Sequence, residues 1–120
     1  MGIFLSIAAG GAIGALSRYG LNILFSGFYT IVFVNILGSF LMGIAFAYFN
    51  ALEVFNEQLR LFIVVGILSS FTTFSTFSLH IFQYLEQQAY MQFMAYLSIS
   101  VIGSIMALII GFWFTKQVLL

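Results

Sequence analysis

The sequence predicts an all-α integral membrane protein with four transmembrane helices. Three observations carry that expectation. Of the 120 residues, 63% are hydrophobic and only 5% are charged, against about 25% charged in a soluble domain. The apolar residues fall into four long runs separated by short polar breaks. Those runs are continuous rather than alternating, unlike the short period-2 strands of a membrane barrel, which leaves the helix as the spanning element.

The runs cover residues 3–25, 30–50, 60–84 and 92–114, and residues 1–120 read as a single transmembrane domain. Each run can cross a hydrocarbon core about 30 Å thick, which takes around 20 residues at about 1.5 Å each. The opening MGIFLSIAAGG has no positive leader, so it reads as the start of the first span rather than as a signal peptide. SGFY at 26–29 makes a tight first connection. The second, at 51–59, holds Glu53 and Glu57, and the third runs from 86 to 92. An even number of spans puts both termini on one side. Arg60 and Lys116 fall on that side and Arg18 toward the other. So small a bias specifies orientation weakly, and insertion in either direction is expected.

Formal net charge is zero, which argues against nucleic acid or a polybasic membrane anchor. Without Cys there is neither a disulfide framework nor a thiolate metal site. Without Pro, a helix break must come from Gly, Ser, Thr or packing. Gly10 and Gly14, Ser39 and Gly43, and Ser100 and Ser104 form small-xxx-small pairs, surfaces on which helices approach closely.

Polar side chains inside a span are functional candidates by default. Asn35, early in the second span, offers two donors and one acceptor. Facing lipid it would cost roughly 2–7 kcal/mol, so it needs a partner; interhelical bonding is the simpler use and ion contact the sharper one. Tyr96, Ser100 and Ser104 recur every fourth residue and form one hydroxyl stripe on the fourth span. Arg18 either anchors at the interface or faces a wet vestibule, where it would draw anions. His80 is alone, with no second His or acid at metal-ligand spacing.

The densest signal is SSFTTFSTFS at 69–78. Phe71, Phe74 and Phe77 are spaced by three, with hydroxyls filling every other position. Ser and Thr compete for backbone carbonyls, so such a run is expected to break the third helix over 69–73. Backbone freed at membrane depth must be satisfied by protein, ions or water. No acidic residue lies in mid-span, which argues against a cation pump built on a membrane carboxylate. Hydroxyl and amide donors, with the positive edges of Phe rings, suit a small anion stripped of water. Composition alone does not name that anion.

Taken in order, the motifs resemble the CrcB/Fluc family of fluoride ion channels over nearly the whole chain. Gly10-Gly11-Ala12-Ile13-Gly14-Ala15-Leu16-Ser17-Arg18-Tyr19 is similar to its GGxxGAxxRY pattern, Asn35-Ile36-Leu37-Gly38 to its NxxG, and TTFSTF at 72–77 to its third-helix motif. Tyr96, Ser100 and Ser104 match its last helix. The resemblance implies an antiparallel, dual-topology dimer in the cytoplasmic membrane of a prokaryote, with two pores exporting fluoride passively. It implies pore rings at Phe74 and Phe77, with Asn35 contributed across the dimer. It further implies a polar track at Tyr96, Ser100 and Ser104, with Thr76 and Ser78 as neighbours, and Arg18 near a vestibule. A structural sodium ion on the backbone carbonyls of Ser69 and Thr72 at the two-fold axis is also implied. The partner is a second copy or a paired homologous subunit. Ser69-Ser70 stands where the family often has Gly-Gly, and His80 where it commonly has Glu.

Two other classes remain. A small four-helix multidrug exporter would need a membrane-embedded acid, and Glu53, Glu57 and Glu86 all lie in or near connections. A non-transporting assembly subunit would use the packing glycines but not Asn35 opposite the hydroxyl-Phe segment. No nucleophile, base and orienting group occur as a set, so no enzyme is expected.

Overall fold

A computed structural model describes residues 1–120. The first two spans are α1 (Gly2–Leu24) and α2 (Phe28–Ala51). The third begins as α3 (Glu57–Leu61), widens into a π-helix, π1 (Phe62–Leu68), and tightens again in α4 (Ser69–Phe71). After an interruption it resumes as α5 (Phe74–Glu86). The fourth is α6 (Tyr90–Phe114), continued by π2 (Thr115–Leu119). All four spans are long and apolar enough to cross a membrane.

Each connection is set by local chemistry. Between α1 and α2 the chain turns at Gly27, whose φ of 146° favours a residue without a side chain. Asn56 caps α3, its side-chain oxygen accepting from the Leu59 amide at 3.1 Å. The acid at Glu57 is therefore in the first helical turn, paired with Arg60. Both helices flanking the second connection extend further than the apolar runs alone indicate, leaving only residues 52–56 between them. The last turn passes through Gln88 at positive φ, one residue short of the α6 cap.

Glycines decide how closely the spans pack. α1 lies on π1: a Cβ at Gly10 would sit 2.5 Å from the Phe62 carbonyl oxygen and 2.9 Å from the Gly66 Cα. Gly14 meets the Ile67 carbonyl and the Phe71 amide in the same way. The Gly10–Gly14 pair is thus used within the chain. α2 packs along α6, with Gly43 against the Leu108 carbonyl and Gly111 against the Phe40 carbonyl. This makes α2 the most enclosed span, with nine buried residues, while the 18-residue stretch that best defines α1 as a span is only 11% buried.

Only 21 of 120 residues are buried, and large apolar side chains cover most of the outer surface. For a chain in water this would be an aggregating surface; in hydrocarbon it is the solvated one.

Candidate functional site

The interruption of the third span is shorter than the hydroxyl run suggests. Ser69–Phe71 remains helical, and only Thr72 and Thr73 are extended, with ψ of 157° and 122°. Local bonds explain the difference. Ser69 Oγ donates to the Val64 carbonyl at 2.8 Å, and Thr72 Oγ1 donates to the Leu68 carbonyl at 3.1 Å, so both hydroxyls bind the helix they belong to. Thr73 then starts α5 as its cap, Oγ1 accepting from the Thr76 amide at 3.2 Å.

The freed backbone is held by two other helices. Asn35 on α2 pairs with Thr73 at both ends of its amide. Its Oδ1 accepts from the Thr73 amide at 2.8 Å, and its Nδ2 donates to the Thr73 carbonyl at 3.1 Å. Arg18 on α1 donates from Nη1 to the Thr72 carbonyl at 3.3 Å. Because the Thr73 amide goes to Asn35, the Ser69 carbonyl loses the partner a continuous helix would give it. Gly38, one turn after Asn35, leaves room for the Thr72 methyl group, into which any Cβ would run.

Beside this junction lies a cavity of about 320 Å³ between α2, the interrupted third span and α6. Asn35, Phe74, Phe77, Ser100 and Ser104 border it, with Thr72 and Thr73 at one end. Its lining holds no charged residue. The two rings differ in setting. Phe77 is 7% exposed and stacks on Tyr96 at 5.7 Å and 14°, whereas Phe74 is 78% exposed. They meet at 5.4 Å between centroids, tilted by 47°.

Donor accounting identifies what the cavity can bind. One Asn35 Nδ2 hydrogen is used on Thr73, and the amide has a second. Ser100 is 4% exposed, and its Oγ has no hydrogen-bond partner. Buried polar atoms without partners are rare, and this one belongs to a residue that lines the cavity. The lining thus offers hydroxyl and amide groups and aromatic rings, without a carboxylate.

Other polar residues of the sequence pattern lie apart from the cavity lining. Thr76 bonds through Oγ1 to Thr73 at 3.3 Å, and Ser78 Oγ donates to the Phe74 carbonyl at 2.9 Å. Tyr96 is fully enclosed behind Phe77, its hydroxyl 2.7 Å from His80 Nδ1. His80 is therefore not isolated: it is stacked on Phe28 of α2 at 4.0 Å and 3°. Its spacing of three from Phe77 places both on one face of α5, a spacing that by itself names no partner. Nothing in the sequence pointed to Phe28.

Comparison with known proteins supplies the relationship. The family described as "CrcB-like protein, Camphor Resistance (CrcB)" matches residues 5–112. A fluoride-specific ion channel FluC of Leptospira interrogans serovar copenhageni is 38% identical over 119 residues, 94% of each chain. The FluC of Hahella chejuensis is 39% identical over 119 residues, again 94% of each. That of Nitrobacter winogradskyi is 39% identical over 113 residues, 89% of this chain and 90% of its own.

Proposed function

Because the chain belongs to the CrcB/FluC family of fluoride channels, we propose that it passes fluoride down its electrochemical gradient through the cavity beside Asn35, protecting the cytoplasm from accumulated fluoride. The family makes it a multi-pass protein of the cytoplasmic membrane and a channel rather than an enzyme. The observation that carries the reading is the buried hydroxyl of Ser100, without a hydrogen-bond partner, on a residue that lines a cavity with Asn35, Phe74 and Phe77. Fluoride binds water strongly, so a pore must replace that shell with donors. Ser100, Ser104 and the second Asn35 hydrogen supply them, and the edges of Phe74 and Phe77 flank the ion. Thr76, Ser78 and Tyr96 extend the polar track beyond the cavity. Arg18 adds a positive charge at the junction and draws anions toward it.

The working unit is an antiparallel dimer in dual topology, formed with a second copy or a paired homologous subunit, with two pores. The exposure of Phe74 at the cavity's edge supports this, since a pore ring facing lipid on one side needs a second chain to close the path. The near-even distribution of Arg18 against Arg60 and Lys116 supports insertion both ways.

A structural sodium ion fits the junction. The Ser69 carbonyl is released by the Thr73–Asn35 bond, and the Thr72 carbonyl keeps a lone pair beyond the one given to Arg18. Neutral oxygen donors suit a hard cation. Bound there, the ion would neutralise carbonyl dipoles of the interrupted helix; these two carbonyls, with those of the second copy, would hold it.

Fluoride efflux from liposomes reconstituted with the purified protein tests the function, with chloride as the control. Fluoride release far above that of empty liposomes, without chloride release, is expected. Equal release from empty liposomes would refute it.

A further inference from the structure

Behind the cavity wall stand two groups that the proposed pore does not use, His80 and Phe28. Phe77 lines the cavity and stacks on Tyr96. Tyr96 is fully buried, and its hydroxyl shares a hydrogen bond with His80 Nδ1 at 2.7 Å, its direction set by the imidazole tautomer. The imidazole is in turn held face to face with Phe28 at 4.0 Å. His80 thus stands two contacts from the ion path, with its orientation fixed on one side by a hydrogen bond and on another by a ring.

We propose that His80 is a positioning residue that makes conduction sensitive to pH: neutral, it occupies the Tyr96 hydroxyl proton; protonated, it releases that proton and adds positive charge behind Phe77. This rests on the conduction reading above. In the neutral state the hydrogen is on Nε2 and Nδ1 accepts from Tyr96. Protonation puts a hydrogen on Nδ1, which then donates to the Tyr96 oxygen, and the phenolic hydrogen must turn away. The bond keeps its length and reverses its direction. The hydroxyl becomes a donor free to serve the polar track. The imidazolium remains stacked on Phe28, where a ring face stabilises a cation.

The groups around His80 leave it as the titrating member. From α2 it meets Phe28, and Tyr29 reaches Tyr96 from the same helix at 5.8 Å. From α6 it meets Tyr96, and from its own helix Tyr84 packs on both Phe28 and Tyr96. The one ion pair of the chain joins Arg60 and Glu57, at the opposite end of the third span. Imidazole is the side chain that ordinarily changes charge between about pH 5 and 8, and phenols do not.

The test is fluoride flux from liposomes between about pH 5.5 and 7.5, the range over which imidazole titrates, with empty liposomes at each pH correcting for acid crossing the bilayer. Two variants accompany the wild type. His80→Asn keeps an acceptor near the Nδ1 position and cannot titrate. His80→Phe keeps the stack on Phe28 and has no hydrogen bond. Wild-type flux is expected to rise as pH falls, by about fivefold, the size of one hydrogen bond. H80N is expected to conduct with a flat profile, and H80F to be flat and lower; either variant alone carries the comparison. A wild-type profile as flat as that of the variants, or a variant that follows the wild-type rise, overturns the inference while leaving the channel intact. No flux from the wild type at any pH overturns both.

Discussion

Replacing Asn35 by Ala tests whether one side chain both holds the interrupted helix and serves the ion. In the native chain its amide satisfies the Thr73 amide at 2.8 Å and the Thr73 carbonyl at 3.1 Å, and Thr73 is 8% exposed. Ala leaves both backbone groups unpaired. Each such group costs about 1–3 kcal/mol, so the loss is on the order of 2–6 kcal/mol. Asn35→Asp keeps the size and changes the charge. The carboxylate still accepts from the Thr73 amide but cannot donate to its carbonyl, and it sets a negative charge against the anion. The assay pairs thermal unfolding of purified protein with fluoride flux from liposomes. N35A should unfold at clearly lower temperature and lose flux; N35D should lose flux as completely, and its carboxylate set against the Thr73 carbonyl oxygen should lower stability as well. Wild-type flux and stability in N35A would refute the reasoning, because two buried backbone groups would then be paying no cost.

Ser100→Ala should leave stability unchanged or raise it, since it removes a buried hydroxyl that has no partner, while cutting flux; unfolding and efflux measured together show whether the signs diverge. Phe74→Ile and Phe77→Ile should both reduce flux sharply, while cross-linking still detects the proposed dimer. Only F77I should lower stability, by about 1 kcal/mol for a lost aromatic stack, because Phe74 is exposed and Phe77 is not. Gly43→Val forces a side chain into the Leu108 carbonyl, an overpacking that costs roughly 1–3 kcal/mol or more, and should reduce the yield of folded protein in membranes.

The spans were legible because hydropathy and run length follow directly from bilayer thickness. Helix ends were less so: Glu57 reads as a loop residue by polarity, but Asn56 supplies the cap that draws it into the helix. The hydroxyl run announced a break and overstated its length. Propensity counts every Ser and Thr as a competitor for the backbone, whereas Ser69 and Thr72 bond back to their own helix and only the Thr73 amide is captured from outside. The π-helix over Phe62–Leu68, where Gly66 lies against Gly10 of the first span, had no visible signal in the sequence. Among the candidate residues, Asn35 and the Ser100–Ser104 stripe were marked by being polar in hydrocarbon. The pairing of His80 with Tyr96 and its stack on Phe28 were not, because such contacts depend on which helix faces are brought together.

The central claim is that this chain forms a fluoride-selective channel. Its most direct test is the current through a planar bilayer holding the reconstituted protein, with fluoride unequal across the membrane and chloride present on both sides. The account predicts a current that reverses at the fluoride equilibrium potential and stays there when the chloride gradient is changed. A reversal potential that follows chloride, or a bilayer that carries no current, would contradict it.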